Sequence, residues 1–328
     1  MLRQYKCIAL FSGGLDSILA VKHMEKLGYE VIAVFFQTPF FEADSAIQAA
    51  KTNQIELQVI DVLPQYLPIL ENPRYGYGKN MNPCVDCHGF MFRMAADMMQ
   101  EYGADFLISG EVLGQRPKSQ RKDAMNAVAK LSGVKDLLIR PLCQKFMADT
   151  LPIREGWVDK AKLLDIQGRD RQRQLDLARE YGVIEFQNPG GGCKLTDIKY
   201  SRKLKDLLLH KQINDNTIKY LKYGRHFRLN EDTKLIVGRD KTENEHLSLL
   251  ITNEIVIKAV DYHGPLGIIC KDGKVNEAEL ETAARIVLRY NNNVEEEAEV
   301  AWGENFSLNN ILKVEKYTPA EVQELMIK

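Results

Sequence analysis

FSGGLDS, at residues 11–17, is the stretch that decides the fold of this chain. The apolar run Cys7 to Leu10 before it predicts a buried strand, and Ile18 to Leu27 after it predicts an amphipathic helix that ends at Gly28. Two glycines allow the loop backbone to approach an anion closely, and the first N–H groups of the helix point at that anion. The sequence therefore predicts a phosphate-binding turn between a strand and a helix.

The polar side chains of this turn suit a nucleotide phosphate and its metal ion. Ser12 and Ser17 supply hydroxyl donors beside the accessible backbone of Gly13 and Gly14. Asp16 supplies a carboxylate where a Mg²⁺ bridging two phosphates would lie. The Walker pattern is excluded because its Gly-Lys-Ser/Thr ending is absent. A glycine-rich turn that binds no ligand is disfavoured, because the loop motif, the strand before it and the helix after it all fit a phosphate-binding turn.

The first 198 residues alternate strands and helices, as a Rossmann-like parallel α/β sheet does. The predicted strands are residues 7–11, 30–37, 57–62 and 105–109, and the predicted helices are residues 18–27, 42–53 and 90–102. Residues 64–83 are rich in Pro, Tyr, Gly and Asn and predict an irregular excursion. The pattern changes near residue 200, so we expect domains at 1–198 and 199–328, the second a smaller α+β domain.

Charge is balanced over the whole chain but not along it. The net charge is −1, yet residues 199–228 contain nine Lys or Arg against two Asp. Such a segment suits a phosphate backbone, and a solvated helix face is the alternative. Only Arg3 and Lys6 precede the first short apolar run, which predicts neither a signal peptide nor a membrane span. We therefore expect a cytoplasmic protein without a membrane partner.

Three of the six cysteines lie in sequence that predicts exposed loops. Cys84 and Cys87 belong to NPCVDCH at residues 82–88, and Cys193 ends NPGGGC at residues 188–193. A cytoplasmic chain keeps such thiols reduced, which argues against a disulfide scaffold. A structural zinc site that includes His88 and a bare redox pair both stay open. Haem attachment at the Cys-x-x-Cys-His pattern is disfavoured because it requires export.

Residues 12–17 resemble the Ser-Gly-Gly-x-Asp-Ser signature of the PP-loop ATP pyrophosphatases. That family splits ATP into AMP and pyrophosphate to adenylate a substrate. With the Asn-Pro-Cys-x-x-Cys loop and three later segments, residues 1–198 resemble tRNA thiouridylases, namely 2-thiouridylase and the 4-thiouridine synthetase catalytic domain. The later segments are Ser109-Gly110, Arg140-Pro141-Leu142 and Gly190 to Asp197.

The thiouridylase resemblance implies an enzyme with a PP-loop (HUP-type) sheet. It would be an ATP-dependent tRNA sulfurtransferase that adenylates a uridine carbonyl and replaces the oxygen with sulfur. ATP and Mg²⁺ are the implied cofactors. The implied nucleotide-binding residues are Ser12, Gly13, Gly14, Asp16, Ser17, Phe36 and Gly110. The adenine would lie near Phe36 and Gln37, and weaker phosphate candidates are Lys118, Arg121, Arg169 and Arg171.

The same resemblance assigns the sulfur chemistry to the distant cysteines. Cys84 and Cys193 would be catalytic together with Asp16, through a persulfide and a disulfide. Family members with a third cysteine hold a [4Fe–4S] cluster, so Cys84, Cys87 and Cys193 would be ligands that leave one iron open. The implied partners are tRNA and a sulfur donor, either a cysteine desulfurase or inorganic sulfide. A homodimer is one option for the oligomeric state.

A second, shorter resemblance lies in the second domain. Gly224 to Arg228 and Ile236 to Asn244 resemble the small RNA-binding module called NFACT-R, which implies that residues 199–328 bind RNA. Three other functions stay open: another PP-loop RNA modification such as amidation or lysidine formation, a cluster-dependent desulfidase of thiobases, and a non-catalytic RNA-binding protein that senses ATP.

Overall fold

The computed structural model describes residues 3–116, 119–187, 193–271 and 273–328. The chain divides into two compact units, Met1–Lys194 and Leu195–Lys328. Lys118 and the glycine run at 190–192, both singled out by the sequence, lie outside the described residues. No helix in the described part of the chain is long and apolar enough to cross a membrane.

The first unit is built on a five-stranded parallel sheet in the order β3-β2-β1-β4-β5. Its strands are β1 (Lys6–Leu10), β2 (Glu30–Gln37), β3 (Leu57–Asp61), β4 (Phe106–Ser109) and β5 (Leu138–Ile139). Its helices are α1 (Leu15–Lys26), α2 (Asp44–Thr52), α3 (Leu63–Glu71), α4 (Cys84–Asp97), α5 (Met99–Tyr102), α6 (Lys122–Leu131), α7 (Leu151–Arg154) and α8 (Gln172–Glu180).

The central strands of this sheet are buried on both faces, which explains their continuous apolar sequence. In β1, Cys7, Ile8 and Ala9 are at most 1% exposed, and Ile8 lies opposite Ile32 and Leu107 of the neighbouring strands. The predicted Rossmann-like fold class of this unit is confirmed.

Two helices of the first unit correct the expectations from sequence. The segment that the sequence predicts to be irregular, residues 64–83, begins inside helix α3. Pro64 is compatible with this helix because it lies in the first turn, where a missing N–H costs nothing. Leu63, Tyr66 and Leu70 recur at helical spacing and are buried. Helix α4 begins at Cys84, six residues before the predicted start at Phe90. The Cys-x-x-Cys pair therefore occupies a first helical turn and not an exposed loop.

The second unit is an α+β domain with a six-stranded antiparallel sheet in the order β11-β10-β8-β9-β7-β6. Its strands are β6 (Arg225–Arg228), β7 (Lys234–Val237), β8 (Ile255–Ala259), β9 (Gly267–Cys270), β10 (Glu297–Glu304) and β11 (Asn310–Glu315). Its helices are α9 (Ile198–Leu209), α10 (Asp215–Lys219), α11 (Lys241–Leu250), α12 (Glu277–Arg289) and α13 (Pro319–Leu325). The apolar face of helix α12, which includes Ala283 and Val287, packs into a hydrophobic core that is built from residues of the second unit.

Candidate nucleotide and thiol site

The candidate site lies where the strand order of the first unit reverses. Strands β2 and β3 lie on one side of β1 in the sheet, and β4 and β5 lie on its other side. The carboxyl ends of β1 and β4 therefore border a crevice. The phosphate loop follows β1, and Gly110 follows β4. A Cβ at Gly110 would lie 2.5 Å from the Asp16 carbonyl carbon, so no side chain fits there. Gly110 thus lies directly against the backbone of the phosphate loop, and its role in nucleotide binding stays a prediction.

The loop is shaped by its own hydrogen bonds. The Ser17 hydroxyl donates to the Gly14 carbonyl at 2.8 Å and accepts from the Ser12 backbone N–H at 3.2 Å. Gly13 has a φ of +74° and lies so close to Ala46 that a Cβ would come within 2.8 Å of its Cα. Ser17 is buried and holds the turn, whereas Ser12 is exposed and open to a ligand.

Helix α1 begins at this loop without a side-chain cap. Its N-cap residue, Gly14, has no side chain to cap the helix, and the Gly14 N–H itself donates to Ser12 Oγ at 3.4 Å. Uncapped N–H groups at the positive end of a helix of twelve residues attract an anion. The geometry therefore suits a phosphate group at this end of α1.

Asp16 is held by a chain of two amides. Gln115 Nε2 donates to Asp16 Oδ2 at 2.6 Å, and Gln174 Nε2 donates to Gln115 Oε1 at 3.0 Å. Asp16 Oδ1 is buried without a hydrogen-bond partner in the described structure, as is Arg171 Nε. Burial raises the pKa of Asp16, although Gln115 and the Arg171 charge oppose the shift. A carboxylate with an open oxygen beside a guanidinium suits a phosphate-bound cation.

The four weaker candidates for phosphate binding differ in their exposure and in their contacts, as far as the structure describes them. Arg171 is half-buried and close enough to Asp16 to lower its pKa. Arg121 is exposed and pairs with Asp123 at 3.3 Å, and Arg169 is exposed as well. Lys118 falls outside the described residues. Arg171 is thus the candidate that the geometry favours.

The adenine contact expected at Phe36 stays a prediction, and the structure restricts it to the main chain of this residue. The Phe36 side chain is 3% exposed within β2, so its ring offers no open face to a base. Gln37, at the end of the same strand, is half-buried. Burial of the ring is the physical reason to move any side-chain contact from Phe36 to its neighbour.

The three thiols singled out by the sequence converge on one buried phenol. Burial raises the pKa of Tyr66 well above its ordinary value, and Cys87, Cys193 and Cys84 raise it further. Burial also raises the pKa of the Cys87 thiol to about 12, with a hydrogen bond from Tyr66 opposing it. Cys84 and Cys193 are half-buried, and Cys84 Sγ donates to Asn82 Oδ1 at 3.0 Å.

The donor chemistry of this thiol group suits an iron–sulfur cluster held by three thiolates. In the described part of the chain, however, no three His, Cys, Asp or Glu side chains stand in metal-binding geometry. The zinc alternative also required His88, whose Nδ1 lies 3.6 Å from Glu111 Oε1. The cluster stays a prediction, and its ligands would be Cys84, Cys87 and Cys193.

A buried ion pair follows β4 in the same unit, and sequence reasoning did not find it. Arg140 Nε donates to Glu111 Oε2 at 2.8 Å, and the Ser109 hydroxyl donates to the same oxygen at 3.2 Å. Burial raises the pKa of Glu111, but Arg140 and His88 outweigh it and lower the pKa to about 2. The signal in the sequence was the Arg140-Pro141-Leu142 segment, which gave no hint of its partner.

The basic segment of the second unit is less uniform than its sequence suggests. Lys203 is buried and donates to the carbonyls of Leu221, Tyr223 and Gly224, and Arg228 pairs with Asp206. These two cations are structural. The basic residues that are exposed are Lys199, Arg202, Lys205, Lys211 and Lys219.

Two family models match this chain, one in each unit. Residues 3–147 match the model described as thiamine biosynthesis protein (ThiI), and residues 224–326 match the NFACT protein RNA binding domain. Both resemblances predicted from the sequence are thereby confirmed. The first unit is therefore similar to the ThiI family over residues 3–147, and the second is similar to the NFACT RNA-binding domain over residues 224–326.

Curated relatives match the first part of the chain. A probable tRNA sulfurtransferase from Methanothermobacter thermautotrophicus is 32% identical over 58% of this chain and 44% of its own length. One from Thermococcus kodakarensis is 27% identical over 56% and 42%. The tRNA-specific 2-thiouridylase MnmA of Pelobacter propionicus is 26% identical over 54% and 50%. The chain spans about half the length of the curated relatives it matches.

Proposed function

We propose that this chain is an ATP-dependent tRNA sulfurtransferase that adenylates a uridine carbonyl and replaces its oxygen with sulfur. The observation that carries the proposal is the presence, in one unit, of an uncapped phosphate loop and a group of three thiols. The printed names of the relatives, tRNA sulfurtransferase and 2-thiouridylase, support the same reaction. ATP binding itself follows from the PP-loop type of the first unit.

In the first step, ATP activates the base. The phosphates would bind at the N-terminus of α1 beside Ser12, and Asp16 would hold a Mg²⁺ ion, which would supply positive charge to neutralise them. The uridine carbonyl oxygen attacks the α-phosphorus, pyrophosphate leaves, and the oxygen becomes part of an AMP leaving group. Arg171, beside Asp16, is placed to balance charge on the departing pyrophosphate.

In the second step, sulfur replaces the activated oxygen. A persulfide on Cys193, loaded by the sulfur donor, attacks the uridine carbon, and AMP departs with the former carbonyl oxygen. The Cys84 thiolate then attacks the Cys193 sulfur, which releases the thiolated base and leaves a Cys84–Cys193 disulfide. A dithiol reductant supplies two electrons to restore both thiols.

The three thiols would also be the residues that hold a [4Fe–4S] cluster, which supplies an open iron position for a hydrosulfide ligand. The iron content of anaerobically purified protein distinguishes the two routes. If the cluster is present, each single Cys→Ala change at positions 84, 87 and 193 should remove most of the iron. A Cys87→Ala variant with full activity supports the persulfide route.

The partner is proposed to be tRNA, bound in part by the exposed cations of the second unit. The sulfur donor would be a cysteine desulfurase in the persulfide route, because it delivers sulfane sulfur, and inorganic sulfide in the cluster route. The match to an RNA-binding domain supports an RNA partner, and the basic face of α9 supports contact with phosphates. A homodimer stays a prediction.

The test is anaerobic reconstitution with an unmodified tRNA transcript, ATP, Mg²⁺ and a dithiol reductant, in two arms. One arm contains a cysteine desulfurase with cysteine as sulfane-sulfur donor for the persulfide route, and the other contains sulfide for the cluster route. We expect AMP and pyrophosphate in equal amounts and a thiouridine in digested tRNA by mass spectrometry. Pyrophosphate release with lysidine or an amidated base in place of a thiouridine would identify another PP-loop reaction. Loss of sulfur from a thiobase without ATP would identify a desulfidase. RNA binding with no pyrophosphate at all would leave an ATP-sensing RNA-binding protein.

A further inference from the structure

Gln174 is a fully buried glutamine on α8, and its burial is costly for the fold. Its side chain is 0% exposed, and its Oε1 has no hydrogen-bond partner in the described structure. Four residues further along the helix, Ala178 packs in a hydrophobic cluster with Leu15 and Leu19 of α1. A leucine would suit such surroundings without the cost of an unpaired buried carbonyl. The contact that Gln174 does make is through its amide nitrogen.

The hydrogen bonds between Asp16, Gln115 and Gln174 are satisfied by one orientation of the two amides. Asp16 is an acceptor, so Gln115 presents its Nε2 to Asp16 Oδ2, at 2.6 Å. The Oε1 of Gln115 then accepts from Gln174 Nε2 at 3.0 Å. If the Gln115 amide turned over, its oxygen would face a carboxylate oxygen and its nitrogen would face another N–H donor. Gln174 therefore fixes the orientation of the amide that holds Asp16.

The two glutamines differ in how firmly the fold holds them. Gln115 is half-buried and lies in the loop after β4, whereas Gln174 belongs to a helix that packs on α1. Asp16 lies in the first turn of α1. The hydrogen bond between the glutamines thus ties a loop side chain to the pair of packed helices that carries Asp16. Supporting hydrogen bonds of this kind hold a ligating side chain in one orientation.

The neutrality of the two amides matters for the binding of a cation. An arginine or lysine at position 115 would also hold Asp16, but its charge would neutralise the carboxylate through an ion pair. An amide donates to one oxygen and leaves the negative charge in place. Because Gln115 bonds to Oδ2, Oδ1 is the Asp16 oxygen without a partner in the described structure. Carboxylate oxygen is the ligand that Mg²⁺ prefers in proteins.

We propose that Gln115 and Gln174 are positioning residues for the cation that accompanies the nucleotide phosphates, and that Gln174 acts through Gln115 to present Asp16 Oδ1 to this cation. The inference rests on the proposed function, since it assumes the metal role given there to Asp16. Neither glutamine touches the reacting atoms. Loss of either amide should leave the phosphate loop intact, because the hydrogen bonds of the loop join Ser17 to Ser12 and Gly14.

The test measures nucleotide binding and needs neither tRNA nor turnover. Full-length protein and the Gln174→Leu variant are titrated with α,β-methylene-ATP, which cannot release pyrophosphate, in Mg²⁺ and in EDTA. We expect the gain in affinity that Mg²⁺ provides to fall about tenfold in the variant, while the affinity in EDTA stays the same. Gln172→Leu, which changes an exposed glutamine of α8 that donates to Asp176, is the matched control and should keep the full gain.

Three results would overturn the proposal. An equal Mg²⁺-dependent gain in Gln174→Leu and the unchanged protein would remove the role of Gln174. No gain in the unchanged protein would remove the cation from Asp16. Equal losses of affinity in Mg²⁺ and in EDTA would assign the effect to packing. Gln174→Met has a similar volume and should lose the same gain, so it replaces Gln174→Leu if that variant melts at a lower temperature.

A double variant tests whether Gln174 acts through Gln115. Gln115→Leu should lose at least as much of the Mg²⁺-dependent gain as Gln174→Leu, because it removes the contact to Asp16 itself. Gln115→Leu/Gln174→Leu should then resemble Gln115→Leu, since no amide at position 115 is left to orient. Losses that multiply in the double variant would show two independent effects and contradict the proposal.

The outcome is distinct from that of the proposed function. A Mg²⁺-dependent gain that needs Gln174, in a protein that forms no thiouridine, would retain this inference and reject the sulfurtransferase. Thiouridine formation by a protein whose gain ignores Gln174→Leu would do the reverse.

Discussion

At the scale of single residues, the phosphate loop is organised by neutral groups. Ser17 braces the turn, and Gln115 with Gln174 holds one oxygen of Asp16 while the other oxygen stays unpaired. The sequence indicated Ser12 and Asp16 because the loop pattern contains them. It could not indicate the two glutamines, because an amide far along the chain carries neither charge nor pattern and only the fold brings it to the loop.

Asp16→Asn should abolish pyrophosphate release, by at least about 100-fold, because it removes the charge that holds the metal ion. The fold should survive, since among the described residues no cation lies within ion-pair distance of Asp16, although the more distant Arg171 charge lowers its pKa, and burial raises that pKa. Pyrophosphate release and thermal melting are measured together. Asp176→Asn, an exposed carboxylate of the same unit, is the control and should keep full activity. Normal turnover in folded Asp16→Asn protein would reject the metal role.

Glu111→Gln should destabilise the first unit by about 3–5 kcal/mol, because it leaves the buried Arg140 charge without its counter-ion. The pKa of Glu111 lies at about 2 in the folded protein against an ordinary value of 4.5. Its stabilising contribution is therefore complete above about pH 4.5 and is lost as the pH falls towards 2. The variant should lack this part of the pH slope.

Urea unfolding at pH 7, 4.5 and 3 checks the Glu111 prediction. Glu101→Gln, an exposed carboxylate, should behave as the unchanged protein does. Equal free energies of unfolding for Glu111→Gln and the unchanged protein at pH 7 would show that the ion pair contributes nothing.

At the scale of elements, strands β1 to β4 of the first unit were predicted from the sequence, whereas β5 and helices α3, α6, α7 and α8 were not. Apolar runs such as Glu30–Gln37 predict their strands because both faces of a parallel sheet are buried. Pro64 and Pro68 in α3 suggested a loop, although a proline in the first turn is compatible with a helix. Pro83 misplaced the start of α4 for a similar reason, since it precedes the helix as its N-cap.

Helix α9 gives an element-scale prediction for RNA binding. Arg202 and Lys205 are three residues apart, so they share its exposed face. The double variant Arg202→Glu/Lys205→Glu should weaken tRNA binding at least about tenfold at 0.1 M salt and reduce the log–log salt slope by roughly two. Filter binding across a salt series measures both quantities.

Lys241→Glu is the matched control for this helix, because Lys241 is exposed on α11 of the same unit. It should change tRNA affinity little. Reversal of Arg228, which the sequence alone would suggest, is unsuitable because its ion pair with Asp206 supports the fold. Equal affinities of the α9 double variant and Lys241→Glu would show that this face is merely solvated.

At the scale of the whole molecule, the candidate functional residues are distributed over two units that have separate hydrophobic cores. The phosphate loop and all three thiols of the candidate site precede residue 195, and the exposed basic face follows it. The sequence predicts strands at residues 234–238, 254–261 and 266–271 and a helix at 277–290, which correspond to β7, β8, β9 and α12 and indicate the α+β class of the second unit. It did not predict β6, α11, β10, β11 or α13, because exposed and charged residues interrupt their apolar pattern.

A protein that ends at Asp197, before α9, should bind ATP normally and have a raised KM for tRNA. The reason is that the loop, Asp16 and the thiols are retained while the cations of the second unit are lost. Equilibrium ATP binding and thiolation rates at several tRNA concentrations measure the two effects. An unchanged KM for tRNA would reject the RNA-binding role of the second unit.

Helix α1 begins without a side-chain cap in the described structure, and this has a thermodynamic consequence. A missing cap leaves about 0.5–2 kcal/mol of stabilisation unrealised. A bound phosphate supplies it, so folding of the first unit is linked to the concentration of free nucleotide by mass action. The melting transition of residues 1–194 should move upwards with each rise in ATP, whereas that of residues 195–328 should not. In a cell that is depleted of ATP, the first unit would therefore be less stable against unfolding than in a cell with ample nucleotide.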